Sequence, residues 1–158
     1  MRVLLIDTAL SLCTAAVFEG ETALAVRSEP MFKGHQERLA GFVRDVMAEA
    51  GTGFDGLDRI GVTTGPGSFT GLRVGLAFAQ GFGAALGRPV VGISTLDALA
   101  ASIAPDARAP GAVAALIDAR RGQVYARLWC DGVAAGPAEA LSLAAAARIA
   151  ALAPDITL

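Results

Sequence analysis

The sequence predicts an α/β fold with a mixed sheet, followed by the start of a second α/β domain. Three observations carry this. Short strand-like runs recur at Val3–Ile6, Cys13–Phe18, Thr22–Val26, Arg59–Thr63 and Val90–Ile93. Longer segments between them repeat apolar residues at helical spacing. After a segment rich in proline and small residues at 104–111, strand-like runs begin again at Ala112.

Val3–Ile6 is continuously apolar, as a buried strand is. Cys13–Phe18 and Thr22–Val26 flank Glu19-Gly20, a tight-turn signal, so the chain opens as a three-strand antiparallel meander. A helix is expected from about His35 to Ala50. Leu39, Phe42, Val43, Val46, Met47 and Ala50 fall on one of its faces, and Gly51 stops it. The Arg59–Thr63 strand runs into Thr64-Gly65-Pro66-Gly67-Ser68-Phe69-Thr70-Gly71, and a second helix follows from about Thr70 to Leu86, ended by Gly87-Arg88-Pro89. Val90–Ile93 is a strand, and Ser94 or Thr95 caps a third helix through about Ile103. In the second segment Ala112–Ile117 and Val124–Cys130 read as strands. Asp131-Gly132 turns the chain, Ser142–Leu152 is an alanine-rich helix, and Ile156–Leu158 opens another strand.

Hydrophobic residues make up 54% of the 158, and the mean hydropathy is +0.54. Such a chain either meets a membrane or has apolar surface covered by a partner. The longest apolar stretch, Val74–Leu86, is interrupted by Gln80 and falls short of the roughly 20 residues a span needs. Asp7 ends the first apolar run too early for a signal peptide, so a cytosolic, membrane-free protein is expected. Thirteen basic residues stand against fifteen acidic ones, giving a net charge of −2. The basic residues form no stripe, so tight nucleic-acid binding by the chain alone is not expected. Cys13 and Cys130 are expected as buried free thiols.

The Gly65–Gly71 loop is the most informative local feature. Glycines before a helix N-terminus can admit an anion, which makes Gly65, Gly67 and Ser68 candidate phosphate neighbours. A tight strand-to-helix turn that binds nothing is the alternative, and no Walker A lysine follows. Asp7 and Thr8 close the first strand, where a carboxylate can hold a hydrated metal beside a phosphate or cap a turn. Asp118 and Arg120, in Asp118-Ala119-Arg120-Arg121-Gly122, either face phosphate or an acidic partner or form a solvated hairpin. Gly71, Gly75, Ala79 and Gly83 recur every four residues along the second helix, which is strongly polar only at Arg73 and Gln80. That stripe is expected to meet a partner, complete burial within one domain being the alternative. With Leu72 and Leu76, and with Leu39, Phe42 and Val46 of the first helix, it makes up the expected interface. His35 is the single histidine and lacks the second ligand of a histidine-pair metal site. Ser68 and Ser94 lack a hydrolase setting. No metal ligand or catalytic residue is assigned.

Together these segments resemble the TsaB (YeaZ) family. Leu4-Leu5-Ile6-Asp7-Thr8 matches its first strand and hairpin, and Gly65-Pro66-Gly67-Ser68-Phe69-Thr70-Gly71-Leu72-Arg73-Val74-Gly75 is nearly its signature. Gly92-Ile93-Ser94-Thr95-Leu96-Asp97-Ala98-Leu99-Ala100 and Ile117-Asp118-Ala119-Arg120-Arg121-Gly122-Gln123-Val124-Tyr125 fit later blocks. The resemblance implies a ribonuclease-H-like fold of the actin, heat-shock chaperone and sugar-kinase superfamily. It divides the chain into an N-terminal domain (1–103), a linker (104–111) and a partial C-terminal domain (112–158), truncated relative to the family. The implied role is a non-catalytic subunit of the machinery that installs threonylcarbamoyl on a tRNA adenosine beside the anticodon. It would bind the paralogue TsaD through the first two helices and be joined by the ATPase TsaE; without TsaD, a second copy is expected to cover the apolar patch on those helices, giving a homodimer. TsaD carries a two-histidine metal motif on its first helix, whereas this chain has His35-Gln36-Glu37-Arg38-Leu39 there. The chain itself is assigned no cofactor, with ATP or ADP at a partner interface left open. The competing reading is a small ATPase or kinase of the same superfamily using Asp7 and the Gly65–Gly71 loop. A peptidase rests only on the family's historical glycoprotease label.

Overall fold

The computed structural model describes residues 1–31, 34–103 and 112–152, with side chains described to residue 149. The expected linker at 104–111 and the strand start at Ile156–Leu158 lie outside the described residues. The chain groups into two compact units, Met1–Ile93 and Ser94–Leu158.

The first unit is an α/β layer. β1 (Arg2–Asp7), β2 (Leu12–Glu19) and β3 (Thr22–Pro30) form the expected antiparallel meander. α1 (His35–Glu49) follows, then β4 (Arg59–Gly65), α2 (Phe69–Leu86) and β5 (Val90–Ser94). The five-stranded sheet has the order β3-β2-β1-β4-β5, with β1 antiparallel to β2 and parallel to β4, so it is mixed as expected. Period-two alternation sends Leu4 and Ile6 of β1, Cys13, Ala15 and Val17 of β2, and Ile60 and Val62 of β4 into one core. Leu39, Val43 and Val46 of α1 and Ala79 of α2 complete that core. Each fully buried aliphatic side chain there contributes roughly 1.5–3 kcal/mol.

The helix ends follow local chemistry. α1 stops where Gly51 takes φ 62°, and Thr52 N–H reaches back to the Met47 carbonyl. α2 ends at Gly87, φ 63°, where Arg88 N–H bonds the Gly83 carbonyl at 2.9 Å. A salt bridge from Arg38 to Glu29, 2.8 Å, ties α1 to the edge strand β3.

The second unit begins with α3 (Thr95–Ala101), capped by the Ser94 hydroxyl, which accepts from the Asp97 N–H. β6 (Ala112–Arg120) and β7 (Gln123–Cys130) form a hairpin. β8 (Val133–Ala134) and β9 (Glu139–Ser142) both pair with β7, and α4 (Leu143–Leu152) follows. β8 and β9 were not legible in the sequence. Glu139-Ala140-Leu141-Ser142 has no β-branched or aromatic residue, and pairing with β7 overrides its weak local preference. Arg127 braces this unit, reaching Asp97 of α3 at 2.6 Å and the Gly136 carbonyl at 3.1 Å. Cys130 is exposed, contrary to expectation: it is the last residue of β7, where the chain turns at Asp131-Gly132. Cys13 is fully buried.

Candidate functional site

The parallel ends of β1 and β4 set Asp7 beside Thr63. Asp7 Oδ1 accepts from Thr63 Oγ1 at 2.7 Å and from the Ala9 N–H at 2.9 Å, which makes an Asx turn. Thr8 is buried, and its hydroxyl donates to the Gly71 carbonyl at 2.8 Å. The start of β2 lies close by. There burial pushes the Cys13 thiol above its ordinary range, with Glu29 and Asp7 adding to the effect.

The Gly65–Gly71 loop folds onto this turn. Ser68 N–H donates to the Ala9 carbonyl at 2.6 Å. A β-carbon on Gly67 would collide with the Ala9 carbonyl oxygen, and one on Gly71 with that of Thr8. Ser68 Oγ caps α2 by accepting from Gly71 N–H at 3.2 Å. The close approach these glycines permit is therefore to the chain's own β1–β2 turn, which is the tight-turn reading. Asp7, Thr8, Gly65, Gly67 and Ser68 do come together, each engaged in holding the others or lying beside them. Asp118 and Arg120 belong to the second unit. Asp118 Oδ1 accepts the Arg120 N–H at 2.7 Å, the hairpin-capping arrangement.

The expected interface residues are placed differently from expectation. Gly71, Gly75, Ala79 and Gly83 are the buried positions of α2. A β-carbon on Gly75 would meet the Thr8 hydroxyl, and one on Gly83 the Val90 side chain. The stripe lets α2 lie close on its own sheet, so burial within the unit replaces the partner reading. Leu39, Phe42 and Val46 face the core as well, at 0%, 5% and 0% exposure. Leu72 and Leu76 are half-buried.

The opposite face of α2 carries the signal that was missed. Arg73, Ala77, Gly81 and Ala85 are all exposed and also recur every four residues, two positions out of phase with the inner stripe. Phe69 is 69% exposed at the head of this face, with the Arg73 guanidinium 3.7 Å from its ring centroid. Phe69, Arg73, Val74 and Phe78 line a groove against Gln36 and Leu39 of α1. Phe78 stacks on Phe82, which meets Phe54 edge-on. The same repeat count would have found the outer row had both phases been tried.

Among the described residues no group of three or more His, Cys, Asp or Glu is placed to hold a metal, and no helix is long and apolar enough to cross a membrane. His35 is buried at the start of α1, with Nε2 unpartnered.

The family described as TsaD: tRNA N6-adenosine threonylcarbamoyltransferase matches residues 28–147. The tRNA threonylcarbamoyladenosine biosynthesis protein TsaB of Escherichia coli (strain K12) is 38% identical over 127 residues, covering 79% of this chain and 53% of that protein. Across the first curated relatives the chain spans 38% to 63% of their length. The solved structure of YeaZ from Pseudomonas aeruginosa superposes with a TM-score of 0.78 at 34% identity, covering 89% of this chain and 67% of that one. A ROK hexokinase from Thermus thermophilus superposes with a TM-score of 0.53 at 23% identity, covering 85% of this chain and 48% of that one. That last likeness speaks for fold alone, the ribonuclease-H-like fold shared with sugar kinases.

Proposed function

This chain belongs to the TsaB (YeaZ) family, and from that premise we propose that it serves tRNA threonylcarbamoyladenosine synthesis as a cytosolic, non-catalytic binding subunit. It holds a TsaD-family protein through the outer faces of α1 and α2, and a TsaE-like ATPase joins the pair. The observation that carries this reading is the outer face of α2. Phe69, Ala77, Gly81, Ala84 and Ala85 are exposed on a helix whose other face already rests on the sheet. A helix on the flank of a sheet ordinarily turns a wide polar face to water. This one offers Arg73 and Gln80, with small residues between them that let a partner helix approach closely.

The bonds at Asp7 favour a binding subunit over the ATPase or kinase reading. One carboxylate oxygen already holds Thr63 and Ala9, and Ser68 occupies the α2 N-terminus. In this reading no cofactor belongs to the chain alone, and any ATP or ADP lies at the contact with a partner.

The test is capture of a purified TsaD-family protein by the tagged chain, compared with Ala77→Glu. Ala77 is exposed, so the variant is expected to fold, which circular dichroism checks, and it sets a charge where the proposed partner helix lies. Wild type is expected to retain the partner, and Ala77→Glu to retain at least about tenfold less, a desolvation cost of roughly 1.4 kcal/mol or more. No capture by wild type refutes the subunit reading. Equal capture by both refutes this surface.

A further inference from the structure

We propose that the tip of the β6–β7 hairpin is an RNA-backbone contact, in which Arg120 and Arg121 together hold a phosphodiester group. The choice of RNA rests on the function proposed above; the geometry stands by itself.

Arg120, Arg121 and Gly122 have φ of 64°, 54° and 74°, three left-handed residues in a row. That region suits glycine, tolerates asparagine and disfavours a long side chain. Arg120 pairs with Gln123 across a two-residue turn, Arg121-Gly122, a position where Asn-Gly is the locally favoured sequence. Arginine therefore stands twice where backbone energetics oppose it. Packing does not explain the choice, since both side chains are exposed. Pairing does not either. Arg2, Arg27, Arg38, Arg44 and Arg127 each meet a carboxylate, whereas among the described residues neither guanidinium at the tip has a partner.

The tip is also held in place. Asp118 Oδ1 accepts the Arg120 N–H at 2.7 Å, and the Gly122 carbonyl accepts the Leu143 N–H at 3.1 Å, fastening the turn to the start of α4. Two forked cations carried on a fixed backbone turn suit the oxygens of a phosphodiester, and the turn itself need not be ordered on binding, although the two free side chains must be. Arg120, Arg121, Gly122 and Gln123 supply no apolar anchor, which a protein partner would need at its centre. This favours a nucleic-acid backbone over an acidic protein. With a net charge of −2 on the whole chain and two arginines at the tip, the contact is weak and weakens further with salt, with a slope of about 1–2.

The test uses the full chain and a fluorescent RNA stem-loop, followed by anisotropy at about 20 and about 150 mM salt. R120N/R121N keeps residues that tolerate the left-handed backbone, so its melting temperature is expected to match or exceed wild type. Its RNA affinity at low salt is expected to fall at least about tenfold, with a salt slope shallower by about 1–2. Arg148→Gln, which removes an exposed arginine on α4, is expected to bind RNA as wild type does. Capture of the TsaD-family protein by R120N/R121N is expected to be unchanged, so the RNA contact can fail without the subunit reading failing. Any of four results overturns the proposal: no RNA binding by wild type at low salt, equal binding by R120N/R121N, equal loss in Arg148→Gln, or polyglutamate competing as well as RNA, which would assign the tip to acidic proteins.

Discussion

Gly71 shows how much a single missing methyl decides. Its α-carbon sits where a β-carbon would overlap the Thr8 carbonyl oxygen, which belongs to backbone and cannot swing aside. Alanine elsewhere in a helix gains about 0.5–1 kcal/mol over glycine. At Gly71 that gain is outweighed by an overpacking cost of roughly 1–3 kcal/mol. Gly71→Ala is therefore expected to lower the urea midpoint. Gly41→Ala, on α1, is expected to raise it, because a β-carbon at Gly41 meets nothing within 4 Å. A Gly71→Ala midpoint at or above wild type would show that α2 does not lie on the β1–β2 turn as described. The same precision explains why Asp7 could not be assigned from sequence. A strand-terminal Asp-Thr pair looks alike whether it holds a ligand or its own turn, and only the Thr63 and Ala9 bonds decide between them.

At the scale of elements, the first five strands and both long helices were legible, because their apolar periods differ and Gly51 and Gly87 end the helices visibly. The direction each helix face takes was not. A row such as Leu39, Phe42 and Val46 reads the same whether it meets a sheet or a partner, and so does a row of small residues. Helix α2 carries two rows of this spacing, with Gly71, Gly75, Ala79 and Gly83 buried inward and Arg73, Ala77, Gly81 and Ala85 exposed outward. The self-association expected from the sequence thus moves to the outer row, where a second copy can present the same face. Light scattering is expected to report a dimer for wild type at high micromolar concentration and a monomer for Gly81→Glu, with the helical spectrum kept. A dimeric Gly81→Glu or a monomeric wild type would remove the outer row as the self-contact. Gly81 is exposed and its β-carbon site is open, so this variant tests the surface without disturbing the core.

For the whole molecule, the mean hydropathy of +0.54 goes with large apolar residues left exposed, such as Phe69, Leu143 and Val133. Its charge is equally plain: thirteen basic against fifteen acidic residues supply no extended track for a polyanion. At physiological salt the chain by itself is expected to hold tRNA more weakly than about 1 μM, since a net charge of −2 with scattered basic residues gives little counterion release. A submicromolar complex in filter binding would contradict that balance. The sheet order has a consequence in time. β1 lies in the middle of the five strands, yet its partner β4 comes much later in the chain, with Asp7 and Thr63 separated by 56 residues. A ribosome adding about 5–20 residues per second leaves one edge of β1 unpaired for roughly 3–11 s after that strand is made. Through that interval the nascent meander offers Val3–Ile6 as an open apolar template, so its yield depends on what shields the strand before β4 emerges.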